Sequence, residues 1–247
     1  MNALIWAIGA TIIVSLISLI GVVFLFLKKN VLDNILLLLV GFSAGALMGG
    51  AFLHLIPEAA EKLTIETISL LTIIGFSLFF IIERILHWHH CHKYGKCEVH
   101  TFTYMNLIGD GVHNFIDGAI IAAGFVISKN LGIATTLAVI AHEIPQEISD
   151  FGVLIYGGFT KLKALLFNFI SALTSVLGAI FGYFIFRYAE IFTTYLLPIA
   201  AGGFIYIFAS DLIPELHRET NLSKSIMSFI FFIIGLLTMV SLKLLFK

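Results

Sequence analysis

The chain has 247 residues, of which 60% are hydrophobic and 12% charged, with 24 Phe and a formal net charge of -1. A soluble domain of that size could not hide so much apolar surface, so lipid must solvate most of it, and the expected class is an all-α membrane protein. No basic tract offers itself to a nucleic acid, and two cysteines, Cys91 and Cys97, are too few for an extracellular disulfide framework.

The first apolar run, ending at Lys28 and Lys29, lacks a positive n-region and is too long for a signal peptide, so it reads as a retained span. Runs long enough to cross ~30 Å of hydrocarbon cover residues 3–27, 34–56, 67–86, 102–127, 131–157, 164–186, 191–212 and 225–242. These eight predicted transmembrane helices, joined by short connections, form one polytopic domain over 1–247 with a His/Cys-containing loop at 87–101. Cytoplasmic loops carry the excess of Lys and Arg. With both termini outside the cell membrane, Lys28, Lys29, Arg84, Lys93, Lys96, Lys161, Lys163, Arg218 and Lys224 lie inside. Lys62, Lys129, Arg187, Lys243 and Lys247 are then left outside, nine against five.

The second and seventh spans share a pattern. AGALMGGAFLHLIPE (44–58) and AGGFIYIFASDLIPE (201–215) begin and end alike, with His54 matched by Asp211. The two spans run in opposite directions, as expected of an inverted repeat (spans 1–3 and 6–8) around a central pair, spans 4 and 5, in a secondary transporter. The alternative is that small residues and Pro serve helix packing alone.

Span four reads NLIGDGVHNFIDGAII, which sets Asp110, His113 and Asp117 on one helical face with Asn114 beside them. Span five reads AHEIPQEISDFG: Glu143, Glu147 and Asp150 form one stripe, His142 and Gln146 the next. Pro145 removes a backbone donor and frees the Ala141 carbonyl. An ionised Asp costs ~2.5–3.5 kcal/mol at the centre of a membrane helix, so five carboxylates cost on the order of 10 kcal/mol before they find partners. No Lys or Arg sits centrally in any span to neutralise them, so the missing cation is most simply the substrate. Imidazole with carboxylate suits Zn, Fe and Mn, and the lack of Cys in any span argues against Cu(I). Protons are further candidate passengers, because five crowded acids cannot all stay ionised beside one divalent ion.

HNFIDG (113–118) and HEIPQEISDF (142–151) resemble the paired signatures of the ZIP family of zinc and iron transporters. The resemblance extends to the eight spans, the outward termini, the His-containing loop and AFLHLIPEA in span two, and so covers essentially the whole chain. It implies a metal site at the centre of a four-helix core, import toward the cytoplasm, and a homodimer. By that resemblance His113, Asn114 and Asp117 are ligands, His142, Glu143 and Gln146 occupy the matching positions on span five with Glu147 adjacent, and Asn168 on span six supplies a further polar ligand. The transported metal, Zn2+ with Fe2+, Mn2+ or Cd2+ as others, is the only cofactor expected. Two positions depart from the family pattern: Gln146 stands where His or Glu is common, and Ser149 where Gly is usual before the Asp-Phe pair.

Between spans three and four, His87, His89, His90, His92 and His100 cluster with Cys91 and Cys97, a composition typical of metal-binding tracts. The Cys spacing is too wide for a Cys2His2 finger, and a solvated polar loop is the plainer alternative. His54 and Glu58 near one end, and Asp211, Glu215 and His217 near the other, mark an entrance and an exit or are interfacial residues. Two rivals use the same donors. An intramembrane zinc metalloprotease would read His142-Glu143 as half of HExxH, but Gln146 replaces the second His and Pro145 interrupts the motif. A metal sensor would bind without flux.

Overall fold

A computed structural model describes residues 3–26, 28–90 and 99–245. His92, Cys91 and Cys97 lie outside the described residues, as do the side chains of His87, His89 and His90. Every regular element among the described residues is helical, as lipid demands of a chain that must satisfy its own backbone donors and acceptors. In order they are α1 (Ala3–Ile17), continued by a 3-10 stretch Ser18–Phe26; α2 (Lys29–Gly49), a π-helical segment Gly50–Leu55, and α3 (Ile56–Ala60); and α4 (Ile65–His90). The central pair is α5 (Thr101–Ile127) and α6 (Lys129–Tyr156). Then come α7 (Lys161–Ala172), α8 (Thr174–Phe184), α9 (Phe186–Tyr206), a second π-helical segment Ile207–Leu212, α10 (Ile213–His217) and α11 (Leu222–Leu245).

Seven helical stretches among the described residues are long and apolar enough to cross a membrane: Ala3–Phe24, Ile35–Ala60, Ile65–Ile85, Thr101–Ile127, Lys161–Phe184, Ile191–His217 and Leu222–Leu245. The predicted fifth span, α6, has 28 residues but is not among them, because His142, Glu143, Gln146, Glu147 and Asp150 make its centre polar. The helix before the His-containing loop runs on to His90, four residues past the predicted end. Pro145 does not break α6, which stays helical on both sides of it.

Two crossings have the same construction. The second and seventh predicted spans each run as α-helix, six-residue π segment, then a short α-helix with Pro at its second position. Pro57 and Pro214 have no N–H, and the ring of each crowds the carbonyl four residues earlier. A wider π turn just before them accommodates both defects: Ile56 N–H reaches the Ala51 carbonyl and Ile213 N–H the Phe208 carbonyl.

Alongside these segments α2 packs on α11 and α4 on α9, and glycines let the backbones touch. A Cβ at Gly45 would meet the Phe232 carbonyl oxygen at 2.0 Å, and one at Gly202 the Thr72 oxygen at 2.2 Å. A Cβ at Gly235 would meet the Phe42 oxygen at 2.2 Å, and one at Gly75 the Ile199 oxygen at 2.0 Å. Gly45 and Gly202 are 157 positions apart, as are Phe42 and Ile199; Gly75 and Gly235 are 160 apart, as are Thr72 and Phe232. Each contact in one crossing thus has its counterpart in the other.

Between these pairs lies α5, the most enclosed of the long helices together with the stretch Ile191–His217. In each, 61% of the central residues are buried, against 17% for α4 and α11. α5 packs against α6 and α8. Its contact with α8 leaves no room at Gly118, where a Cβ would fall 1.8 Å from the Ser175 carbonyl oxygen. The helical run after α6 breaks at Leu173. There the hydroxyls of Ser171 and Thr174 donate to the Leu107 and Gly111 carbonyls of α5 at 2.9 and 2.6 Å. That tie holds the end of α7 against α5 and sets Asn168 toward the polar centre.

Candidate metal centre

The polar residues of α5 and α6 meet halfway along both helices. His113 is the thirteenth of 27 residues in α5 and Glu143 the fifteenth of 28 in α6, so each is ~20 Å from either helix end at 1.5 Å per residue. His113 Nε2 lies 3.4 Å from Asp117 Oδ2 and 3.5 Å from Glu143 Oε1. His142 Nε2 lies 3.2 Å from the same Asp117 oxygen and 3.7 Å from the same Glu143 oxygen. Charge-assisted hydrogen bonds are shorter, at ~2.7–2.9 Å. Four donors ~2.1 Å from one tetrahedral zinc ion would stand ~3.4 Å apart, close to the 3.2–3.7 Å of these four imidazole–carboxylate pairs.

The ring of His142 is held for that role. Its Nδ1–H donates to the Ala138 carbonyl at 3.1 Å, which orients Nε2 toward Asp117 Oδ2, in hydrogen-bond reach at 3.2 Å. Apart from Asp117, which His142 reaches, most polar atoms around it are bare. Both ring nitrogens of His113, both Glu143 oxygens, Asp110 Oδ2, Asn114 Oδ1, Glu147 Oε1 and Asn168 Oδ1 are buried without a hydrogen-bond partner. Glu143 and Glu147 are fully enclosed. Orphaned buried polar atoms are rare in folded proteins, and so many converging lone pairs make a cage for a cation. No Lys or Arg occurs in α5, and α6 has only Lys129 at its start.

A second group adjoins the first. Asp110, Glu143 and Glu147 each offer an oxygen, all within 4.8 Å of one another, so Glu143 belongs to both groups. The surrounding amides steady these carboxylates: Asn114 Nδ2 donates to Asp110 Oδ1 at 2.9 Å, Gln146 Nε2 to the same oxygen at 3.4 Å, and Asn168 Nδ2 to Glu147 Oε2. Of the ligands that the family resemblance implies, His113, Asp117, His142 and Glu143 form the first group. Glu147 belongs to the second, while Asn114, Gln146 and Asn168 hold carboxylates through their amides. Asp110, expected only as a pathway contact, stands within the second group. Ser149, without explanation in the sequence, donates its hydroxyl to the Gln146 carbonyl at 2.7 Å, inside the last turn before Asp150.

The remaining polar residues belong to neither group. His54 Nε2 donates to the Met239 carbonyl of α11 at 2.9 Å. Glu58 lines a small cavity with Glu61, Lys62, Thr193 and Thr194. Asp211 is buried with Oδ2 bare. Glu215 accepts from the Arg218 guanidinium and, at 3.3 Å, from the Tyr156 hydroxyl at the end of α6.

The profile of the ZIP zinc transporter family matches residues 2–100 and 89–243. The chain belongs to the ZIP zinc transporter family. Among its relatives, the zinc transporter ZIP13 of Pongo abelii is 31% identical over 219 residues, 82% of this chain and 65% of that protein. The ZIP13 of Mus musculus is 30% identical over 250 residues, 83% of this chain and 69% of its own length. The zinc transporter ZIP6 of Homo sapiens is 38% identical over 138 residues, 53% of this chain and 18% of that protein. The chain thus spans about two thirds of the ZIP13 relatives and a small part of ZIP6. Membership fits the all-helical, multi-pass architecture and gives no support to the protease alternative, whose missing second His is Gln146, an amide turned to Asp110.

Proposed function

We propose that this protein carries divalent transition-metal ions, zinc first and Fe2+ or Mn2+ as others, across the cell membrane into the cytoplasm through the site on α5 and α6. One observation carries the reading: His113, Asp117, His142 and Glu143 converge at tetrahedral spacing halfway along two buried helices that hold no central Lys or Arg. An ion bound there leaves water for four donors and neutralises carboxylates that would otherwise be costly in the membrane. On this reading His113, Asp117, His142 and Glu143 ligate the ion. Asn114, Gln146, Glu147 and Asn168 complete or orient its surroundings.

The reading takes α6 as the eighth span, polar because it lines the path, and takes spans 1–3 and 6–8 as an inverted repeat within one domain over 1–247. The matched π segments and the four equivalent glycine contacts support the repeat. It also puts both termini outside, uses His54 and Glu58 as the entrance with Asp211 and Glu215 as the exit, and assigns His87, His89, His90 and His92 to a metal-responsive cytoplasmic loop. The homodimer implied by the family resemblance is an expectation of the same kind, open to mass measurement in detergent.

Proteoliposomes loaded with a chelating dye and challenged with Zn2+, Fe2+, Mn2+ and Cd2+ test the function. Dye response in parent vesicles, absent from Asp117→Ala vesicles, is the expected result. Metal binding with no flux in the parent would make the protein a sensor and end the transport reading. Orientation has its own test: Cys91 and Cys97 should react with a membrane-impermeant thiol reagent only when the cytoplasmic face is accessible.

A further inference from the structure

Toward the end where α5 begins and α6 finishes, one turn beyond His113 and two beyond Glu143, Asp110 stands beside a carboxylate that has no place in the mechanism so far, Asp150. Asp110 and Asp150 line one crevice with Asn106 and Gln146, closed on the other side by Leu47, Phe204 and Ile207. The crevice is too narrow for a water molecule. Asp110 and Asp150 are almost fully buried, at 3% and 2% exposure.

The two carboxylates are held in the same way. Asn106 Nδ2 donates to Asp150 Oδ1 at 3.1 Å, while Asn114 and Gln146 donate to Asp110 Oδ1. In each case the second oxygen, Oδ2, is buried and has no partner. Ser171 approaches Asp110, but its hydroxyl gives its single proton to the Leu107 carbonyl at 2.9 Å. A carboxylate pinned by an amide through one oxygen and bare at the other has the form that an outer-shell partner imposes on a metal ligand. Neither water nor a cationic side chain answers the bare oxygens in a crevice whose far wall is apolar. A divalent ion, which binds carboxylate oxygen at ~2.0–2.2 Å, needs less room than a water molecule.

We propose that Asp110 and Asp150 form a further cation station in the path, separate from the His-containing centre and built from oxygen donors alone. Carboxylate and amide oxygens without imidazole or thiolate suit hard ions, so Mn2+ binds there in preference to Zn2+, which the imidazoles of the first centre favour. Asp110 also belongs to the group with Glu143 and Glu147, so it hands the ion from one station to the next over one helical turn of ~5.4 Å. Asn106 is a positioning residue for Asp150.

The inference rests on α5 and α6 being the transport path, and the test separates the two. Mn2+ binding to the purified full chain is counted by electron paramagnetic resonance, and Zn2+ binding by calorimetry, for the parent, Asp150→Asn and Asn106→Ala. Asp150→Asn should lose one Mn2+ equivalent and keep Zn2+ binding, and in proteoliposomes its Mn2+ uptake should fall more than its Zn2+ uptake. Asn106→Ala, which keeps both carboxylates, should retain the Mn2+ count with affinity lowered about tenfold or more, as outer-shell changes do. It also serves if Asp150→Asn does not fold. An unchanged Mn2+ count in Asp150→Asn, or unchanged Mn2+ affinity in Asn106→Ala, would overturn the station. If the parent takes up no metal while these binding differences persist, it is the transport reading that fails.

Discussion

Two kinds of helix contact share this bundle, and they are built on opposite principles. Where α2 meets α11 and α4 meets α9, glycines bring backbone against backbone, and the Glu83 carboxylate of α4 is answered by the Tyr206 hydroxyl of α9. Where α5 meets α6, carboxylates and imidazoles face one another with bare lone pairs. Lipid tails are as apolar as Leu, so close packing rather than hydrophobic burial holds membrane helices together. The glycine crossings therefore supply stability. The inner contact is tied by a few side-chain hydrogen bonds but leaves several buried carboxylate oxygens without a partner. Stability and cation binding should accordingly respond to different mutations.

The largest separation is expected at Glu143, whose oxygen belongs to both donor groups. Glu143→Ala, or Asp117→Ala, should abolish metal uptake at equal membrane level, a loss beyond the 10–100-fold typical of outer-shell changes. Thermal stability in detergent should stay near that of the parent. Near-normal uptake in either variant would move the site elsewhere.

At the glycine crossings the pattern reverses. Gly45→Val and Gly202→Val push a side chain into a carbonyl oxygen, and overpacking of this kind costs ~1–3 kcal/mol or more. Because the two contacts are equivalent, their melting temperatures should fall by similar amounts. Gly9→Val, where nothing lies within 4 Å, should melt like the parent. A strong asymmetry between Gly45 and Gly202 would count against the repeat.

A smaller effect is expected at Gln146. Gln146→His places an imidazole beside Asp110, in a group that otherwise offers only oxygen, and should shift selectivity toward Zn2+ over Mn2+ by several-fold in competition uptake. An unchanged selectivity order would remove position 146 from the path. The smallest change should come from replacing His87, His89, His90 and His92 together with Ser. Substantial flux remains, with an altered dependence on cytoplasmic metal, and its complete loss in a folded variant would contradict this division of labour.

Much of this was legible in the sequence, but only along single helices. The 3.6-residue period sets Asp110, His113 and Asp117 on one face of α5, and Glu143, Glu147 and Asp150 on one face of α6. It does not fix the rotation of one helix against the other. Hence the sequence could not tell that Asp117 and Glu143 are the oxygens between the two imidazoles, or that Asp110 belongs with Glu143 and Glu147. The matching LIPE ends were visible, but not the π turns before Pro57 and Pro214, since these follow from how the widened turn packs. The break at Leu173 was hidden for a similar reason: Ser171 and Thr174 bond to carbonyls more than 60 residues away. Span five is long enough to cross but falls short in hydropathy, because the residues that give it a role are those that lower it.

The claim that the ion sits between α5 and α6 can be tested most directly by zinc X-ray absorption on the loaded full chain, with His113→Ala and His142→Ala alongside. The account predicts a first shell of nitrogen and oxygen only, at ~2.0–2.1 Å. It should carry two imidazoles in the parent and one in each variant. A sulfur shell near ~2.3 Å, or an imidazole count unchanged by both substitutions, would place the ion with Cys91, Cys97 and the histidines of the loop and contradict the account.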